Sequence, residues 1–459
     1  MRLSSSVGLW LVASLPLCAF AACTPGTPVT DSDAGPIPDT CPTPTGAGTK
    51  HSSPSESETW TQAGSPHIVT SSLTIPEGVT VTLEPCAVVQ LGDAVSVTVD
   101  GALVSKGTAG KRVRITALDA AKPWTWIDAT RTTIQPPIDL AYTVVEKGGL
   151  AQDSNAENWA MIRVRAKPDQ RPQPMIKVDH VELRDSATIG VRLADEAAFA
   201  DGSTALTITG SALEPIHTHA LASVPDGAYT GNGHDRIELS TSTPIGVDGQ
   251  DVDVTLRDRG VPYYVGHAGE TAPMWLGPSG SGSTSLTIEP GVVLQFRKGF
   301  GLAVYPGASA LIAKGTAAKP ITFTSGEATK APGDWTGLYF KSDPAPATSL
   351  DHVVIEYAGN SDTAASGYSC GTPPAPATER GKMQGALVFA LDGPVTTKIL
   401  TNSTITDSSN GVDRGWSGDD LDYMATNTFQ RITYCAQTLP RGPVPTRTCP
   451  MNPPCPPGN

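Results

Sequence analysis

The chain has 459 residues, with 32 Lys and Arg against 45 Asp and Glu, a formal net charge of −13. That balance excludes a general electrostatic nucleic-acid binder, which needs a strongly basic domain. Gly (46) and Pro (41) stand well above average usage while 39% of residues are hydrophobic, so the composition predicts a turn-rich, helix-poor protein that can still bury a core.

The N-terminal segment reads as an address. Behind Arg2, Leu3 to Phe20 is uncharged and mainly apolar, too short to span a bilayer convincingly and built like a secretory signal. It ends Phe20-Ala21-Ala22-Cys23, which resembles the lipobox of bacterial lipoproteins, with Phe at a position that is usually aliphatic. The resemblance implies a signal peptide over 1–22, cleavage before Cys23 and acylation of Cys23, an anchor whose strength grows with each buried methylene. Thr24 stands where an Asp would resemble a retention signal, so the expected location is the outer membrane or cell surface. Residues 23–58 are rich in Pro, Thr and Ser and predict an extended tether, because such a composition cannot offset its ordering entropy by burial. The mature charge also argues against docking on acidic lipid through side chains.

The body is a duplication. Leu83–Leu91 (LEPCAVVQL) matches Ile288–Phe296 (IEPGVVLQF), and Lys106–Lys111 (KGTAGK) matches Lys314–Lys319 (KGTAAK). Trp124-Thr125 matches Trp335-Thr336, and Leu140–Gly149 matches Leu350–Gly359, all in order and at offsets of 205 to 211. A weaker fifth match sets Asp185-Ser186 against Asp407-Ser408. Ordered matches at a near-constant offset define an internal repeat, here expected over 59–245 and 246–438, with a Pro/Cys-rich tail at 439–459. Within a copy, Val292–Phe296, Leu302–Val304, Leu311–Ala313 and Ile321–Phe323 are short β-forming runs separated by turn residues. They predict an all-β fold, and three such strands per coil would make a rung of roughly 27 residues if the runs stack as a solenoid.

The string LTIEPGVVLQF…GASALIAKGTAAKPITFTS…GDWTGLYF…LDHVVIEYAG resembles the right-handed parallel β-helix repeats of bacterial surface proteins in the pectin-lyase-like superfamily. Tyr229–Asn232, Asp235–Ile237 and Val261–Val265 resemble the link between copies in such proteins. The resemblance implies a right-handed parallel β-helix of two tandem halves, Val, Ile and Leu stacked inward, Gly and Asn at positive-φ turns, and equivalent turns at Glu84-Pro85 and Glu289-Pro290. It implies architecture more than function, because this fold hosts lyases, hydrolases, adhesins and stalks.

Chemistry-bearing residues are sparse. His217-Thr218-His219, with Glu214 near, is a candidate metal pair, since both rings would face one side of a strand; no third ligand is evident, and the plainer reading is two stack histidines. Gly233–Glu238 resembles polygalacturonase motifs only in part, and the acid pair Asp419-Asp420 follows it where those enzymes put it before. Asp251, Asp253 and Asp258-Arg259, or Asp413-Arg414 with Asp419, Asp420 and Asp422, would be calcium ligands in a pectate-type site, against solvated loops as the simpler reading. Trp124, Trp126, Trp335 and Trp416 are possible sugar platforms; the matched positions of Trp124 and Trp335 favour a structural role for those two. No catalytic residue, metal or cofactor is assigned.

Six cysteines remain besides Cys18 and Cys23: Cys41, Cys86, Cys370, Cys435, Cys449 and Cys455, an even number that predicts disulfides in an exported chain. Cys86 replaces Gly291 at a turn and is expected to expose its side chain, favouring Cys41–Cys86; Cys370–Cys435 and Cys449–Cys455 would then follow. The expected function is a monomeric, lipid-anchored, non-enzymatic scaffold that binds an envelope or extracellular glycan, matrix or other surface component. Its partner surface is placed on the unrepeated loops, at Trp416, Asp419, Asp420 and residues 361–383. The alternative is a polysaccharide lyase or hydrolase, which would need Arg or Lys and carboxylates converging in one groove.

Overall fold

A computed structural model describes residues 38–130, 136–155, 158–166, 172–246, 248–278, 281–305, 308–360, 385–390, 395–415, 421–439 and 455. Alternation sets the architecture: in Thr80–Leu83, Val88–Leu91 and Val293–Phe296 every second side chain is buried, as a half-buried strand requires. Among the described residues all strand pairs are parallel, and each strand pairs with one from the previous or next turn of the chain. The result is a parallel β-helix, with the right-handed crossover usual for parallel connections. Among the described residues the helical segments are single 3₁₀ turns, such as Gln62–Gly64 and Ala220–Ala222, and no helix is long and apolar enough to cross a membrane.

One sheet of 13 strands runs from Leu73–Ile75 to Thr428–Gln430. Its inward column is Leu73, Val97, Ile127, Ile162, Val191, Ile216, Ile237, Tyr263, Leu294, Phe323, Ile355 and Ile405, all buried. Neighbours in this column stand from 21 residues apart (Ile216 to Ile237) to 35 (Ile127 to Ile162), and 50 where an insertion interrupts (Ile355 to Ile405). In the first half the other two faces are joined, because Gln173–Arg184 is one 12-residue strand bent at His180 (φ 53°) that pairs with both Ile138–Ala141 and Thr143–Glu146. In the second half they are two separate five-stranded sheets.

The duplication is built in strand for strand. Trp124 and Trp335 are fully buried, and each indole N–H donates to an equivalent carbonyl, Glu146 O at 3.0 Å and Glu356 O at 2.8 Å. The two KGTA loops close by the same reciprocal pair of backbone hydrogen bonds, Thr108 with Lys111 and Thr316 with Lys319. Both Glu-Pro segments form the expected turn, with Ala87 N–H donating to Glu84 O and Val292 N–H to Glu289 O. Positive φ recurs at Tyr142 and His352, Lys147 and Tyr357, and Asp185 and Asp407. The left-handed corners are thus not reserved for Gly and Asn.

The halves are not in phase, however. Val88–Leu91 lies on the joined sheet of the first half, whereas its counterpart Val293–Phe296 lies on the long sheet. Val97–Val99 lies on the long sheet, whereas its counterpart Leu302–Val304 lies on the sheet that Met274–Leu276 begins. The seam falls where Ile237–Leu239 pairs with Tyr263–Val265 and Ile245 bridges to Leu276. Across it, the second copy is turned by one face of the coil.

Both ends depart from expectation. Residues 39–58, read as tether, belong to the compact unit that begins at Asp39. Thr49–Lys50 pairs with His67–Val69, Glu58–Trp60 pairs with Thr80–Leu83, and Cys41 bonds Cys86 with Cα atoms 5.2 Å apart. That bond also buries Cys86, which is 3% exposed and not free at its turn. At the other end Cys435 pairs with Cys455, Cα atoms 5.5 Å apart, which displaces the expected Cys370–Cys435 and Cys449–Cys455. The reason is placement: Cys435 is not in an insertion but on the last coil, its amide donating to Asn410 Oδ1 and its carbonyl accepting from Gly411 N. Cys23, Cys370 and Cys449 lie outside the described residues.

Candidate functional site

The outward column of the long sheet is polar over its whole middle. Ladder partners run Asp128, Arg163, Arg192, His217, Glu238, Tyr264 and Gln295, one residue per coil. On a stacked sheet such side chains stand about 5 Å apart, so residues remote in sequence become immediate neighbours.

Arginines dominate the end nearer the N-terminus. Arg163 Nε donates to Asp128 Oδ1 at 2.7 Å, Arg192 donates to Asn158 O at 2.9 Å, and Arg165 Nε lies 3.8 Å from Asp195. They line a trough of about 340 Å³ with Asp128 and Thr130. Burial first, and then the neighbouring guanidiniums of Arg165 and Arg163, lower the pKa of Arg192. An anion placed beside these three guanidiniums would meet several charge-assisted donors at once. Trp126 and Trp159 stack at the rim, ring centroids 5.0 Å apart, with the Arg163 guanidinium 4.4 Å from the Trp126 ring.

The trough continues, sharing Arg165 and Arg192, into a pocket of about 140 Å³ bordered by His217, His219, Ser240, His267 and Glu270. His217 and Glu238 are ladder partners, and His267 reaches the same place from just beyond Tyr263–Val265. His267 Nδ1 bonds Glu238 Oε1, and the His217 and His267 rings lie 4.3 Å apart. Burial, then the charges of His267, Arg192 and His219, push the His217 pKa well below its ordinary value. Glu270 accepts from Ser240, from the Thr241 side chain and amide, and from the His267 amide; these bonds outweigh the upward push of burial and keep its pKa low. Burial also works against ionisation of Glu214, but Arg236 and His234 hold its carboxyl below the ordinary range. Among the described residues, His217, Glu238 and His267 form the group able to converge on a metal ion, their ligand atoms all within 4.8 Å of one another.

The expected His217–His219–Glu214 set therefore comes apart. His219 Nε2 is taken by Ala197 O at 2.8 Å, and Glu214 pairs with His234 and Arg236. The other candidates divide similarly. Asp251 and Asp253 accept from Ser283 and Ser285 on the next coil, and Asp413 and Arg414 are fully buried within a strand rather than displayed in a loop. Asp422 Oδ1 accepts from the Met424 amide. Of the tryptophans, Trp124 and Trp335 are core and Trp126 is half-buried at the trough. Trp416, Asp419, Asp420 and residues 361–383 lie outside the described residues. Sequence reasoning passed over Arg163, Arg192 and His267, and met Glu238 only as the end of Gly233–Glu238, because coil-to-coil register, the one signal that unites them, is not visible in local spacing.

Residues 280–368 match the family model described as a pectate-lyase-like beta helix domain, in agreement with the parallel stacking of the second half. Comparison with curated proteins and with solved structures finds no match. The fold is thus a parallel β-helix, of which residues 280–368 are similar to the pectate-lyase-like kind.

Proposed function

We propose that this protein is a lipid-anchored surface β-helix that binds an acidic polysaccharide of the envelope or surroundings along its arginine trough, without cleaving it. One observation carries the reading: Arg163, Arg165 and Arg192 crowd one trough beside a stacked indole pair, on a chain of net charge −13. Guanidiniums take carboxylates or sulfates in bidentate pairs, and indoles stack on the apolar faces of sugar rings, so the two together select an anionic glycan over a neutral one. The test is binding of uronate-rich, sulfated and neutral polysaccharides by the wild type, by Arg165→Glu and by Arg192→Gln. Acidic chains should bind, more weakly as salt rises, and each variant should lose about tenfold or more, the equivalent of one charge-assisted hydrogen bond. Equal binding of neutral and acidic chains, or undiminished binding by both variants, overturns the assignment.

A second reading is a polysaccharide lyase or hydrolase on the same surface. It is favoured by Glu238 and His267 at the end of the trough, where groups able to move a proton adjoin the cations. Incubation with uronic polysaccharides, with and without calcium, decides between them: released unsaturated or reducing ends establish the enzyme and refute a purely binding role.

A further inference from the structure

We propose that His217, Glu238 and His267 bind one divalent transition-metal ion, with an open coordination position facing the 140 Å³ pocket at the end of the trough. The inference is independent of what the trough binds.

Three coils supply the ligands. His217 and Glu238 are fixed side by side by the sheet register, and both are nearly excluded from solvent, at 4% and 6% exposed. His267 comes from the next coil, just past the Tyr263–Val265 strand. All three ligand atoms already fall within 4.8 Å of one another, so closure around an ion needs side-chain adjustment and no backbone rearrangement. His217 Nδ1 is buried and has no hydrogen-bond partner. Buried polar atoms are nearly always satisfied, and an orphaned imidazole nitrogen beside a carboxylate and a second imidazole calls for a partner.

The surroundings hold the ligands from behind. Arg236 lies 3.8 Å from Glu238 Oε2 and is itself fixed by Glu214, while the His267 amide donates to Glu270 Oε2 at 2.9 Å. Such outer contacts orient ligands at metal centres. Two imidazoles and one carboxylate suit zinc, cobalt, nickel or copper; calcium and magnesium take six or more oxygens, which this cluster does not offer. Three protein ligands leave a fourth position, and the pocket beside it has Ser240, Glu270 and Arg192 on its walls. A water or an anionic group of a bound molecule would fill it.

The competing account is a self-contained one, with His267 bonded to Glu238 and His217 stacked beside them for packing alone. The two separate on metal uptake by the full chain, freed of metal with chelator and kept unreduced. Calorimetric titration with Zn²⁺ should give one ion per chain and a raised melting temperature. Glu238→Gln and His267→Gln should each weaken binding by about 100-fold or more, beyond the 10–100-fold typical of outer contacts, and the exposed His180→Gln should leave it unchanged. Co²⁺ in place of Zn²⁺ should show ligand-field bands without thiolate charge transfer. Failure of the wild type to take up zinc, undiminished uptake by both variants with native circular dichroism, or a thiolate signature would each overturn the site.

Discussion

At the scale of single residues, corners of the coil decide which side chains are tolerated. Cys86 and Gly291 occupy one corner in the two copies, at φ 66° and 92°. Glycine takes that conformation freely, whereas an L side chain costs about 1–2 kcal/mol there. Cys86 accepts the strain because it holds Cys41, closing a 45-residue loop whose cross-link is worth roughly 2–4 kcal/mol. Removing the bond by Cys41→Ala should therefore make glycine, the residue of the matching corner, preferable at position 86. In that background Cys86→Gly should be more stable than Cys86→Ala by about 1 kcal/mol, read from chemical denaturation. The reverse order would mean that the corner is set by something other than backbone conformation.

At the scale of the element, the KGTA loops show how a short motif encodes a contact a coil away. A Cβ on Gly107 would stand 2.3 Å from the Tyr142 carbonyl oxygen, and one on Gly315 would stand 2.4 Å from the equivalent oxygen of His352. Backbone on both sides leaves nothing to yield, so Gly107→Ala and Gly315→Ala should each destabilise by about 1–3 kcal/mol. Gly78→Ala, at φ 80° with no atom within 4 Å of its Cβ position, should cost only the smaller conformational term. Equal losses at all three positions, in melting or denaturant titration, would show that conformation and not the close approach governs. The same motif was legible in the sequence because it recurs, and so were the strands, the Glu-Pro turns and the paired tryptophans. The cluster of His217, Glu238 and His267 was not, since its members are 21 and 29 residues apart and meet only through the ladder. His219 misled for the same reason: alternation puts it near His217, but the chain leaves the strand after Thr218 and its ring turns to Ala197. Residues 39–58 misled by composition, because a Pro/Ser-rich segment can be held by a disulfide and edge pairing rather than by apolar burial.

At the scale of the whole molecule, the seam explains how two copies of one scaffold meet to build a site. Turning the second copy by one face stacks Tyr263–Val265 on Ile237–Leu239, strands of different kinds in the repeat, and places His267 against Glu238 and His217. The site therefore draws residues from both copies, His217 and Glu238 from the first and His267 from the second, whereas the arginine trough it adjoins belongs to the first half alone. The compact unit begins at Asp39, leaving residues 24–38 between Cys23 and the fold. Under the proposed function, acylation through several chains would make the attachment stable and place it under the control of a single residue. Cys23→Ser should accordingly move the protein from the membrane to the soluble fraction and abolish acyl labelling, while leaving the fold intact. Because the Cys41–Cys86 bond closes the N-terminal end independently, circular dichroism and melting of the released protein should match the wild type. Continued membrane retention with labelling would refute anchoring at Cys23, and loss of folding together with release would show that the segment before Asp39 contributes to the coil itself.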